Sequence, residues 1–157
     1  MGIDPGFGIT GYGLIETDPS RARVPRLIEA GILASKKDSP LPERLREIYD
    51  NFVSLLQEFS PAAVALEEIF SVGKFPKSAI MIGHVHGIVL LASAQNSIPV
   101  YTYYPIQVKR ALLGYGRGSK QQMQRMVQRT LELPKPPQPD DVADALAVAL
   151  CHANRVR

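Results

Sequence analysis

Apolar and polar positions alternate over short stretches at the start of the chain and settle into longer periods after it. Met1 to Ile3 is a short apolar stub ending at Asp4, with Pro5, Gly6 and Gly8 marking a turn behind it. Thr10 to Thr17 and Leu27 to Ala34 read as two further strands, separated by the polar, proline-containing stretch Asp18 to Arg26. Their short connections predict an antiparallel meander. Leu45, Ile48, Phe52, Leu55, Leu56 and Phe59 then recur every three or four residues, placing one apolar stripe on a helix. Pro42 suits the first turn of that helix, where a missing N–H costs nothing, and Ser60-Pro61 ends it. Ala62 to Ile69 is almost continuously apolar, as expected of a strand covered on both faces. Ser78 to Asn96 predicts a long apolar helix whose Gly83 and Gly87, four apart, allow a neighbour to come close; it is a candidate for the core or for a subunit interface. Pro99 to Tyr103 reads as a fifth strand. Pro105 to Leu113 and Ser119 to Leu133 read as helices around a glycine-rich loop, Lys135 to Pro139 is proline-dense, and Asp141 to Asn154 is an alanine-rich closing helix. Three strands, a helix, a strand, a helix, a strand and three helices predict an α/β layered domain with a mixed sheet, a single domain over residues 1–157.

Composition narrows the function classes. With 45% hydrophobic and 21% charged residues, disorder is excluded as the main state. The lone Cys151 excludes an internal disulfide framework and a cysteine-rich zinc site, and its apolar helix makes it a core residue. The longest apolar-leaning run, Gly87 to Ala94, is too short to span a bilayer, and no basic segment precedes a hydrophobic one at the start, so a soluble, cytoplasmic protein without a membrane partner is expected. Charge is unevenly spread. Residues 1–102 carry 9 basic and 11 acidic side chains, whereas residues 103–157 carry 9 and 4. Lys109 to Lys135 alone holds seven basic residues against one acid, Glu132, which suits a surface lining phosphates.

The informative chemistry lies in carboxylates on apolar elements. Asp4 ends a strand stub, Glu67 and Glu68 end a strand of Ala, Val and Leu, and Asp141 and Asp144 share one face of the last helix. A carboxylate in such a place is costly unless paired, hydrogen-bonded or bound to a cation. Three elements each offering one predict an acidic pocket for a hard divalent cation, the competing reading being helix caps and arginine pairs. Alternation does not choose between Glu67 and Glu68, because both faces of that strand are apolar, and Asp140 could cap its helix. His84 and His86, two apart on a helix, cannot form a metal pair alone; they and His152 read as structural or surface residues. Gly114 to Lys120 lacks the spacing of a Walker A loop and reads as a flexible basic loop opening a helix.

Taken together, Gly2-Ile3-Asp4-Pro5-Gly6, Thr10-Gly11-Tyr12-Gly13, Ala65-Leu66-Glu67 with Phe70, Gly114-x-Gly116-x-x-x-Lys120 and Asp141-x-x-Asp144-Ala145-Leu146-Ala147 resemble the RuvC family of bacterial Holliday junction resolvases, in order and over essentially the whole chain. The resemblance implies a ribonuclease H-like fold, a mixed five-stranded sheet flanked by helices. It also implies a homodimer that nicks four-way DNA junctions symmetrically in recombination and repair, leaving 5′-phosphate and 3′-hydroxyl ends. Two Mg2+ per subunit, replaceable by Mn2+, would be held by Asp4, Glu67, Asp141 and Asp144, with Lys120 as a further catalytic residue. Phe70, Lys109, Arg117 and Lys120 would meet DNA, Phe70 as an aromatic probing base stacking unless it is simply core. A RuvA–RuvB branch-migration complex would be a partner. Two rivals have other signatures: a fragment of an actin-like ATPase shares the opening turn but needs a second lobe, and a silent junction-binding protein does not need four acids.

Overall fold

A computed structural model describes residues 1–18, 24–69 and 76–156. The elements are β1 (Gly2–Asp4), β2 (Ile9–Glu16), β3 (Arg26–Ala34), α1 (Leu41–Phe59), β4 (Val64–Glu67), α2 (Pro76–Gln95), β5 (Val100–Tyr103), α3 (Pro105–Leu113), α4 (Lys120–Thr130) and α5 (Asp140–Arg155). This is the predicted order, with ends shifted by a few residues. The largest shift is in α4, which stops at Thr130 instead of Leu133: Glu132 takes a positive φ of 52°, turning the chain so that Leu131 and Leu133 drop into the core.

The sheet order is β3-β2-β1-β4-β5. β2 pairs antiparallel with both β1 and β3, while β1–β4 and β4–β5 are parallel, so the sheet is mixed as expected. Ile3 lies opposite Leu66 and Glu67 opposite Tyr103, which brings Asp4 and Glu67 to the same end of adjacent strands.

Each face of the sheet carries its own core. Ile3, Leu14, Val64 and Leu66 face α1 and α2 through Phe52, Leu56, Val89 and Ala92. Ala65 and Tyr103 face α3, α4 and α5 through Val108, Val127, Leu146 and Leu150. Val64, Ala65 and Leu66 are all at most 1% exposed, which explains why β4 shows no alternation in sequence. Helix α5 lies directly on β1 and β2 because glycines leave room for its backbone. A β-carbon on Gly2 would fall 2.1 Å from the Ala145 carbonyl oxygen, and one on Gly11 2.0 Å from that of Asp141. That close approach brings the acids of α5 down to the end of β1.

Helix α2 departs from the expectation of a run too short for a bilayer. Lys77–Gln95 is long and apolar enough for a crossing, with a mean hydropathy of 1.4. Gly83, His84, His86 and Gly87 interrupt its apolar runs without lowering the helix average enough to matter. Core helices of globular proteins share that length and composition. Ile80 and Leu91 are 56% and 55% exposed, and among the described residues nothing beyond the local helix backbone comes within 4 Å of a β-carbon placed on Gly87. The close approach predicted at these glycines is thus not used at Gly87 within the described part of the chain.

Candidate active site

A cleft of about 170 Å³ opens at the carboxyl ends of β1 and β4, lined by Glu67, Pro105, Val108, Lys109, Lys120, Met123, Asp144 and Ala147. Asp4 comes from the end of β1, Glu67 from the end of β4, and Asp141 and Asp144 from the first turns of α5. The two strand acids share the sheet face that α5 covers. This settles their geometry: Glu67 points into the cleft, whereas Glu68 turns away and sits 3.6 Å from His86 Nε2 on α2.

The electrostatics show how closely these acids interact. Burial, then the neighbouring charges of Asp144 and Asp141, raise the Asp4 carboxyl to about 7, against a smaller opposing effect of Lys120. Burial, then Asp4 and Asp144, raise Glu67 to about 8, with Lys109 and Lys120 opposing. Asp144 is also raised, chiefly by burial, although Lys120 lies 3.5 Å away and pulls it down. Lys120 is itself raised, first by the charge of Asp144.

Among the described residues, no three carboxylate, histidine or cysteine groups stand close enough to hold one ion as they are. The donor set nonetheless fits a hard dication: it consists of carboxylate oxygens from three elements, desolvated and mutually repelling, the situation that an oxygen-coordinated divalent cation relieves.

The other sequence candidates are distributed as follows. Asp140 does not cap α5. Pro139 occupies the cap position, which draws Asp140 into the first turn, where it accepts a hydrogen bond from Gln124 Nε2 at 2.6 Å and lies 3.9 Å from Lys120 Nζ. Lys109 lines the cleft, and Arg117 is exposed on the loop before α4. Phe70 lies outside the described residues. His84 Nδ1 bonds the Ile80 carbonyl, and His152 Nδ1 shares a 2.7 Å hydrogen bond with the Tyr103 hydroxyl, both structural roles as expected. Cys151 is fully buried. Sequence reasoning missed the Glu68–His86 contact; an acid at a strand end followed by a histidine on the next helix was its only trace.

Comparison with known proteins bears directly on this arrangement. Residues 1–152 match the family model described as crossover junction endodeoxyribonuclease RuvC. The chain belongs to the RuvC family. A RuvC from Desulforamulus reducens is 48% identical over 153 residues, covering 98% of this chain and 91% of that one. The structure of T. thermophilus RuvC in complex with Holliday junction substrate superposes with a TM-score of 0.92 at 37% identity, covering 99% of this chain and 93% of that one. The yeast mitochondrial Holliday junction resolvase, at 11% identity, a TM-score of 0.67 and coverage of 98% and 78%, shares the fold. The architecture is thus ribonuclease H-like, as the sequence motifs implied. RuvC enzymes are divalent-metal-dependent nucleases, in keeping with the oxygen donors gathered here.

Proposed function

We propose that this chain resolves four-way DNA junctions by metal-assisted phosphodiester hydrolysis at the cleft between β1, β4 and α5. The observation that carries the reading is the pairing of Asp4 and Glu67 at neighbouring strand ends, both raised by burial, Asp4 further by Asp144 and Asp141 and Glu67 further by Asp4 and Asp144. As the family name states an endodeoxyribonuclease of crossover junctions, the substrate is junction DNA.

In this reading Asp4, Glu67, Asp141 and Asp144 would hold the cations, Asp4 contributing to both sites. A pair of Mg2+ or Mn2+ ions supplies, when bound, Lewis acidity for the attack of water on phosphorus and for departure of the 3′-oxygen. Lys120, which lies 3.5 Å from Asp144, would offset charge on the attacked phosphate. Lys109 and Arg117 extend the positive surface along the strand, holding phosphates and carrying little sequence information. Phe70 follows the catalytic strand and stacks on bases at the junction centre, a contact worth about 1–3 kcal/mol per base. The product ends are a 5′-phosphate and a 3′-hydroxyl.

One cleft cuts one strand, so paired symmetric nicks require a two-fold dimer. The exposed apolar positions Ile80 and Leu91 on α2, together with the open Gly87, support α2 as the dimer seam. Residues 1–157 act as a single nuclease domain in the cytoplasm, handed its substrate by a RuvA–RuvB branch-migration complex.

The test is cleavage of a synthetic four-way junction with and without Mg2+ by the wild type and by Asp4→Asn. The variant should keep the fold and bind the junction but fail to cut it. Wild-type nicking by Asp4→Asn would remove Asp4 from the ligand set.

A further inference from the structure

Asp4 is the last residue of a three-residue strand, and four residues, Pro5 to Gly8, separate it from β2. Two glycines and no ladder hydrogen bonds leave this turn little intrinsic reason to hold one shape. Two devices fix it. From within, the fully buried Thr10 hydroxyl donates to the Gly6 carbonyl at 2.8 Å and accepts from the Gly6 N–H at 3.4 Å. From outside comes Arg44, in the first turns of α1, the layer opposite the one that carries the acids of α5.

The Arg44 side chain makes three contacts around one position. Its Nη2 donates to the Phe7 carbonyl at 3.1 Å, its Nε donates to Ser35 Oγ at 3.1 Å, and its guanidinium lies 3.8 Å over the centre of the Phe7 ring. Ser35 sits just past the end of β3, is 9% exposed and anchors the guanidinium to the sheet. A planar guanidinium lays its face on a ring while its fixed in-plane donors reach two separate acceptors; a lysine ammonium can also meet a ring and donate, but as a compact point charge it reproduces that fork only in part. Thus α1 grips the chain three residues beyond Asp4 and ties it to the end of β3.

We propose that Arg44 is a positioning residue for catalysis: by clamping Phe7 it fixes the turn that follows Asp4 and so sets the Asp4 carboxylate against Glu67. The inference rests on Asp4 being a cation ligand, as proposed above. Arg44 touches neither the cleft nor, in this reading, the DNA. Its loss acts on the chemical step and on cation affinity and leaves junction affinity unchanged, because misplacement of a reacting group by about 1 Å can cost about 100-fold in rate.

The experiment compares Arg44→Ala, Arg44→Lys and Phe7→Leu with wild type and Asp4→Asn, all as full chains. Four quantities are read: junction Kd in Ca2+, single-turnover cleavage rate at saturating enzyme, the Mg2+ concentration giving half the maximal rate, and Tm. Phe7→Leu keeps the backbone carbonyl and loses only the ring, so it remains informative should Arg44→Ala fold poorly. Arg44→Ala should cut about 10- to 100-fold more slowly, need more Mg2+, and bind the junction within twofold of wild type, with Arg44→Lys and Phe7→Leu intermediate. A parallel loss of junction affinity would show that charge toward DNA is what matters and would overturn the proposal. So would a lowered Tm with a wild-type rate measured below it, which marks a purely structural role. Should Asp4→Asn cut normally, the ligand assignment fails; if it is inactive while all clamp variants cut as wild type, only the clamp fails.

Discussion

Gly11 on β2 lies directly beneath the first turn of α5, so near that a β-carbon there would stand 2.0 Å from the Asp141 carbonyl oxygen. The position therefore controls how far the α5 acids sit from the strand acids. Gly11→Ala must displace backbone, which has no rotamer to yield, and should destabilise the protein by about 1–3 kcal/mol. Its folded fraction should cut junctions more slowly than wild type. Gly8, one turn away, meets nothing within 4 Å and has no left-handed φ, so Gly8→Ala should leave both melting and cleavage close to wild type. Thermal melting and single-turnover cleavage of the two variants check the contrast.

The raised carboxyls make metal-free stability depend on pH in a definite direction. Asp4 and Glu67 titrate near 7 and 8 in the folded chain and in the ordinary carboxylate range when unfolded. Their contribution is complete below about pH 4 and is lost as pH rises through the folded values, because the unfolded chain gives up these protons first. In EDTA, Tm should fall between pH 5 and pH 8.5, at about 2–4 °C for each kcal/mol lost. Mg2+ should restore more of it at the high end of that range, where it relieves ionised carboxylates, than at the low end. Asp4→Asn should flatten the decline. A Tm that rises over the same range in EDTA contradicts the buried acid cluster.

The two consecutive glutamates offer a test of register. Glu67 faces the cleft and Glu68 faces His86. Glu67→Gln should abolish cleavage with junction binding retained, while Glu68→Gln should retain cleavage within a fewfold. Equal losses would mean that the strand end presents both acids to the metal.

Charge on the exposed face of α2 should separate dimerisation from folding. Leu91 is more than half exposed in the single chain, so if α2 is the seam proposed above, Leu91→Glu should sediment as a monomer that keeps its fold but whose Tm no longer rises with protein concentration. Such a monomer should leave nicked junctions in place of resolved duplexes, since the second strand has no partner site. A dimeric Leu91→Glu with normal paired cutting would put the seam elsewhere.

These contrasts mark what could be read from the chain. Element order and type were legible because strand and helix periods differ and because prolines and glycines punctuate them. Candidate acids were legible because a carboxylate on an apolar strand is anomalous. The choice between Glu67 and Glu68 was not: a strand covered on both faces has no phase, and only pairing with Tyr103 and coverage by α5 decide it. Asp140 was misjudged as a possible cap because Pro139 fills that position, which no composition rule foretells. Arg44 reads as one more solvated charge on an amphipathic helix. Its partner Phe7 is 37 residues away, and a contact across that separation leaves no periodic trace.

The acid set is drawn from opposite ends of the chain, Asp4 from the first strand and Asp141 and Asp144 from the last helix. During synthesis the strands and most of the flanking helices emerge before α5 exists. Until α5 emerges, one face of the sheet also lacks the helix that supplies much of its core. On the ligand set proposed above, junction cleavage therefore requires α5 seated on its glycine floor. A truncated product lacking that helix should leave junction DNA uncut.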